Sequence, residues 1–299
     1  MVLYGAIEAG GTKFVCAVAS GPDEILSEVT IATKGPEETL KEVIGYFKDY
    51  QEKSGEQINA VGIGCFGPLD LRKESETYGY ITSTPKKGWQ NTEIAGYIER
   101  ELKVPAGFDT DVNAAAYGEY LWGAGAGLDV VIYLTVGTGI GGGLYVHGRP
   151  VHGLMHPEMG HVIVRQDKNN DPFEGCCPYH DSCLEGLASG RSVDLRWGCH
   201  AAELGEDHPA WELEADYLAQ GLMNFILTVS PEKIILGGGL MHKKQLFPMV
   251  RKKVQEKLNG YILMPAIQEE IDNYIVSPGL GSKSGIFGAM GLAAGSLEG

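Results

Sequence analysis

The chain is short of cysteine, of basic side chains and of long apolar runs, and each shortage removes a class of protein. Six cysteines in 299 residues (Cys16, Cys65, Cys176, Cys177, Cys183, Cys199) are too sparse for a disulfide-built scaffold. Their grouping with histidine points to reduced thiols, so the expected compartment is cytoplasmic. The longest strictly apolar runs cover residues 14–19 and 130–134. A membrane span needs roughly 18 such residues. Glu8, Lys13 and several glycines interrupt the first twenty residues where a signal-peptide core would lie, so no targeting segment is expected. With 24 basic against 39 acidic side chains the net charge is −15, which repels polyanions, and neither nucleic acid nor a membrane is an expected partner.

Glycine is in excess. The 43 glycines cluster at Gly10-Gly11, at 137–143 and at Gly237-Gly238-Gly239, each beside a short apolar or β-branched run. Such turns let backbone amides approach a ligand closely. Strands are expected over 3–8, 14–19 and 25–32. A helix is expected from Pro36, because Leu40, Val43, Ile44 and Phe47 recur on one face. A strand over 60–65, a helix over 92–102, a strand over 104–110 and a helix over 113–121 complete a first α/β unit. Strands over 130–135 and 143–147 around a second glycine turn then repeat the opening theme, which implies two related halves. Helices over 211–229 and 245–259 bracket a strand over 233–236. The expected division places 1–113 with about 284–299 in one domain and 114–283 in the other.

Residues 137–142 read Gly-Thr-Gly-Ile-Gly-Gly and match the G-x-G-x-x-G pattern of dinucleotide sites, which has physical meaning only when a helix follows. Here a strand follows. The segment reads instead as a hairpin whose amides, with the hydroxyls of Thr135 and Thr138, can surround phosphate oxygens, with Gly137 and Gly139 at its turn. Glu8, Gly10, Gly11, Thr12 and Lys13 put a carboxylate, two glycines, a hydroxyl and an amine around the first hairpin. A lone glycine hairpin is a tight turn and nothing more. Two of them opening related halves, with Gly237, Gly238 and Gly239 after a third strand, favour a nucleotide.

Asp111 follows a strand and precedes Asn113 and three alanines. At that position it is either a general base at the carboxyl edge of a sheet or a helix cap. Cys177-x-x-His180-x-x-Cys183 offers three metal ligands at tight spacing, with His161 available as a fourth. A disulfide or unliganded buried thiols are the alternatives. Glu158 and Glu185 read as solvated charges by residue type alone. Trp89 fits a sugar-stacking ring or a core anchor.

The segments at 8–13, 111–115, 134–143 and 158–161 resemble the ROK family of sugar kinases and repressors, and the likeness spans almost the whole chain. Residues 7–18 and 177–183 are most similar to its bacterial fructokinases. The resemblance implies an actin-like, hexokinase-type fold: a duplicated ribonuclease-H-like α/β pair of domains with a cleft between them. It implies an enzyme that phosphorylates a hexose with ATP and Mg²⁺, fructose before mannose, glucose or N-acetylmannosamine. It makes Asp111 the general base and carries sugar contacts onto Asn113, Glu158, His161, Glu185 and the backbone at Gly67 and Pro68. It assigns His161, Cys177, His180 and Cys183 to a structural Zn²⁺ and leaves Cys176 spare. A homodimer is the family's expectation. Many members carry Asp where this chain has Glu8. The family's repressors place a helix-turn-helix before the first hairpin, and none is expected here.

Overall fold

The glycine turn at Gly10 and Gly11 joins β1 (Tyr4–Ala9) to β2 (Lys13–Gly21), an antiparallel pair in which Ala9 faces Phe14. The Gly10 N–H closes the turn on the Lys13 carbonyl at 3.0 Å. The computed structural model describes residues 1–22 and 24–297, so the last two residues of the expected 284–299 segment lie outside the described residues. By internal contacts the chain forms two units, 1–127 with 148–157 and 283–299, and 128–147 with 158–282. The expected boundary near Asn113 would cut through a helix, α3, which lies wholly in the first unit.

In the first unit, β3 (Glu24–Ala32) is followed by α1 (Pro36–Ser54), β4 (Ala60–Cys65), the two-residue strands β5 (Tyr80–Ile81) and β6 (Thr92–Glu93), α2 (Ala95–Leu102), β7 (Ala106–Thr110) and α3 (Asp111–Trp122). The sheet runs β3-β2-β1-β4-β7, antiparallel across the hairpins and parallel from β1 through β4 to β7. Helix α1 buries Leu40, Val43, Ile44 and Phe47 as its spacing demands. A fully buried Phe side chain such as Phe47 contributes about 1.5–3 kcal/mol of transfer free energy. Trp89 is also fully buried, its ring beside Phe14 and Phe66 and its indole N–H on the Lys34 carbonyl at 2.8 Å. It is a core anchor and does not face a sugar.

The second unit repeats the arrangement. β8 (Val130–Val136) and β9 (Ile140–Val146) form the hairpin. β9 begins three residues earlier than expected because its Gly141, Gly142 and Gly143 hide strand propensity. A side chain at Gly142 would meet the Met159 sulfur at 2.7 Å. After β10 (Arg149–Pro150), which belongs to the first unit's 148–157 segment, come α4 (Leu184–Ala188), α5 (Gly190–Trp197), α6 (Ala210–Val229), β11 (Lys233–Gly237), α7 (Leu246–Leu258), α8 (Pro265–Gln268), α9 (Ile271–Tyr274) and β12 (Ile275–Val276). Within this unit the strands run β9-β8-β11-β12, parallel from β8 onward. This is the order β2-β1-β4-β7 over again. The last helix, α10 (Ser284–Gly295), packs on α3 and on β1, β4 and β7 of the first unit. Its backbone reaches the Ala114 carbonyl at Gly288, a contact that only a residue without Cβ allows.

Candidate active site and metal centre

In the first unit the parallel strands β1, β4 and β7 end side by side, Ala9 beside Cys65 and Cys65 beside Thr110, and the candidate residues follow those ends. Thr110 caps α3, its hydroxyl accepting the Asn113 N–H at 3.0 Å. The cap is therefore not Asp111, whose carboxylate accepts the adjacent Val112 N–H at 2.9 Å. Burial lifts the Asp111 carboxyl to about 6, opposed by backbone N–H groups. Glu8 rises further, to about 7, through burial first and then through Asp111, with Lys13 opposing. The two carboxylates repel one another in a site short of positive charge. Glu8 also lies against Gly285 of α10, where an added Cβ would stand 2.5 Å from its carboxyl carbon.

Gly11, Thr12 and Lys13 are exposed at the hairpin tip. The Thr33 hydroxyl donates to the Gly10 carbonyl at 2.8 Å, and the Lys86 amine to the Gly11 carbonyl. Lys86 was invisible in the sequence, because nothing in the composition of its loop ties it to a hairpin 75 residues away. Gly67 and Pro68, joined by a cis peptide, follow β4. The next amide, Leu69 N–H, donates to His156 Nε2 at 3.1 Å, and burial holds that imidazole below its ordinary pKa. Asn113 is 1% exposed; its Nδ2 donates to Asp109 at 2.7 Å, and Asp109 also meets His152 at 3.1 Å. Asp109, His152 and His156 have no periodic or motif signature. Only the fold brings them together.

In the second unit the glycine loop is closed by the Gly137 N–H on the Gly139 carbonyl at 2.9 Å, with Thr138 exposed at its tip. Thr135 sits in register between Gly141 and Gly237. Gly238 has φ +90° and lies against the Val136 backbone, 2.5 Å from where its Cβ would be. Gly237, paired with Thr135, and Gly238, against Val136, thus lie beside the strand end that leads into the glycine turn. The Gly190 N–H, at the start of α5, donates to the Gly137 carbonyl at 2.7 Å.

Glu185, in the first turn of α4, accepts the Ile140 N–H at 2.9 Å, and its other oxygen stands 4.0 Å from His161 Nε2. Glu158 is exposed just before the 3₁₀ turn Met159–His161. The turned-back His161 Nδ1 lies 3.8 Å from Cys177 Sγ and 3.6 Å from Cys183 Sγ, and Cys177 Sγ is 3.6 Å from His180 Nδ1. All four ligand atoms lie within 4.8 Å of one another. A tetrahedral ion with bonds of about 2.0–2.3 Å has ligand edges of about 3.3–3.8 Å, so the donor set fits one metal. Cys176 stands apart, its sulfur 3.7 Å from the Ser189 hydroxyl.

Two units built on one sheet pattern, each opening on a glycine hairpin, define the duplicated actin-like, hexokinase-type α/β fold. The chain belongs to the ROK family, whose signature spans residues 4–296. It is 41% identical to a fructokinase from Pediococcus pentosaceus over 99% of both chains. It is 42% identical to a fructokinase from Zymomonas mobilis over 97% of this chain and 96% of that one. The solved structure of a ROK hexokinase from Thermus thermophilus matches 99% of each chain at a TM-score of 0.80 and 26% identity.

Proposed function

We propose that this chain transfers the γ-phosphoryl group of ATP to the 6-hydroxyl of a hexose, with D-fructose the preferred acceptor. The observation that carries the chemistry is Asp111, a carboxylate held at a strand end with its pKa lifted to about 6. A base poised just below neutrality is ionised at working pH yet basic enough to accept an alcohol proton. The hydroxyl oxygen forms the new bond to the γ-phosphorus, its proton passes to Asp111, and the bond from that phosphorus to the β–γ bridging oxygen breaks to release ADP. Likeness to named fructokinases at 41–42% identity supports the choice of sugar.

In this reading the hairpin of the first unit, with Gly10, Gly11, Thr12 and Lys13, is a phosphate-contacting turn, and so by itself is that of the second unit, with Thr135, Gly137, Thr138, Gly139 and Gly237 to Gly239. Glu8, a half-buried carboxylate with too little compensating charge, fits the neighbourhood of a cation. Magnesium bound there with ATP supplies the positive charge that a strongly acidic chain lacks. In the first unit the sugar contacts of this reading are Asn113 and the backbone at Gly67 and Pro68; in the second unit they are Glu158, His161 and Glu185. An ionised carboxylate accepts hydrogen bonds from neighbouring hydroxyls and so orients a polyol.

His161, Cys177, His180 and Cys183 hold zinc in this reading, and a closed four-ligand site leaves no open position for substrate. Its work is mechanical. With Nδ1 on the metal, His161 turns Nε2 toward Glu185, and Glu185 in turn holds the Ile140 N–H of the glycine loop. A homodimer belongs to the same reading, as does a cytoplasmic setting, in keeping with six free cysteines.

A coupled ADP-release assay with MgATP and fructose, mannose, glucose or N-acetylmannosamine tests the assignment. Fructose should give the highest kcat/KM, mannose a lower one, and omission of divalent cation should abolish turnover. ADP release equally fast with and without hexose would refute the kinase reading, and a preference for another hexose would refute fructose alone.

A further inference from the structure

The first unit holds a second buried carboxylate that phosphoryl transfer does not use. Asp109 is the penultimate residue of β7, in register with Gly64, and is 2% exposed. Both of its oxygens have partners. They accept the Thr110 N–H at 2.7 Å, the Asn113 amide nitrogen at 2.7 Å and His152 Nε2 at 3.1 Å. His152 belongs to the 148–157 segment and keeps 34% of its side chain exposed. Its hydrogen bond to Asp109 raises the imidazole pKa, which favours the cation that a buried carboxylate needs.

The consequence appears one residue away. An Asn side chain has two donors at one end and an acceptor at the other, and which end points where is set by its neighbours. With a carboxylate on one side, Asn113 must turn its nitrogen there. Its Oδ1 is then left buried, with no donor among the described residues. An unmet buried acceptor costs about 1–3 kcal/mol. A ligand hydroxyl meets that need.

We propose that Asp109 and His152 are positioning residues for the sugar: they fix the Asn113 amide with its nitrogen inward and its oxygen presented to one hexose hydroxyl, and so set hexose affinity and selection without touching the reacting atoms. The proposal rests on the reading of the chain as a hexose kinase. His152 anchors the 148–157 segment to the end of β7, while His156 anchors it to the amide after Pro68. One loop thereby ties down both the strand end that leads into the helix of Asn113 and the Gly67–Pro68 backbone.

Steady-state kinetics of D109A, H152A and H152Q test it, with melting curves and binding of a nonhydrolysable ATP analogue as checks on folding. A lost 1–3 kcal/mol corresponds to a rise of about 5- to 150-fold in hexose KM for D109A, with a smaller rise for H152A, while kcat and the KM for ATP stay within about threefold. H152Q, whose amide can donate to Asp109, should restore hexose KM. One member of a monodeoxy-hexose series should lose about 5- to 150-fold in kcat/KM with the wild type and under threefold with H152A or D109A, because the hydroxyl and the oriented amide act as a pair.

Unchanged hexose KM in D109A and H152A, equal loss in H152A and H152Q, or the same deoxy-sugar penalty in wild type and variants would each overturn the proposal while leaving the kinase intact. If D109A does not fold, the H152A and H152Q pair decides. Wild-type protein that phosphorylates no hexose would instead refute the kinase reading on which the proposal stands.

Discussion

Replacing Asp111 with Asn should move activity and stability in opposite directions. The amide keeps the shape of the side chain but cannot take the hydroxyl proton, so hexose-dependent kcat should fall about 10²- to 10⁴-fold. The fold has little need of the charge, since Thr110 caps α3 and the carboxylate holds only local backbone N–H groups among the described residues. Its raised pKa means that the ionised group opposes folding. A carboxyl lifted from the ordinary 3.8 to about 6 is destabilised as an anion by about 3 kcal/mol. That stability is intact below about pH 4 and is lost as pH climbs through 6. The variant, which never ionises, escapes the loss, so wild type and variant should melt together near pH 4 and diverge at pH 7–8. At about 2–4 °C per kcal/mol for a unit of this size, the variant's melting temperature gains up to about 10 °C. Initial rates from pH 5 to 9 should show an acid limb near 6 in wild type that disappears in the variant. Undiminished turnover would refute the base assignment, and lost activity with a lowered melting temperature at pH 8 would make Asp111 structural.

Two other perturbations separate the parts of the site. Gly285→Ala introduces a methyl 2.5 Å from the Glu8 carboxyl carbon; it should leave melting nearly unchanged yet raise the Mg²⁺ concentration for half-maximal rate about tenfold, which a Mg²⁺ titration reads directly. Purified protein should carry near-stoichiometric zinc by elemental analysis, and Cys177→Ala should lower both zinc content and melting temperature while leaving the Cys183 cap of α4 in place. Fully active protein without zinc would dismiss the metal reading.

What the sequence made legible was whatever repeats locally. The α1 face, the two glycine hairpins and the Cys177 to Cys183 spacing are patterns within a dozen or so residues, and each appears in the structure. The helix over 113–121 was read two residues late because Asp111 and Val112 lack helical character of their own; the Thr110 cap starts the helix. The short helices α4 and α5 leave no signal in the sequence, being too brief to show a period and packed by tertiary contacts. Asp109 is, in the sequence, one polar residue in a short strand. Its meaning depends on His152, 43 residues away. Lys86 and His156 were hidden for the same reason.

The return of α10 to the first unit fixes an order of events during synthesis. Residues 1–127 emerge first, but the helix that covers β1, β4 and β7 lies beyond residue 283. At about 5–20 residues per second the ribosome takes about 8–30 s to add the intervening stretch. Throughout that interval the face of the first sheet that α10 will cover is bare, while the second unit, complete by 282, is free to close. The part of the chain made first is therefore finished last. Its glycines at 62, 107 and 118, which receive α10 backbone to backbone, wait as a shallow groove that no bulky stand-in fills. Growing chains halted before α10 would expose that groove to chaperones and proteases.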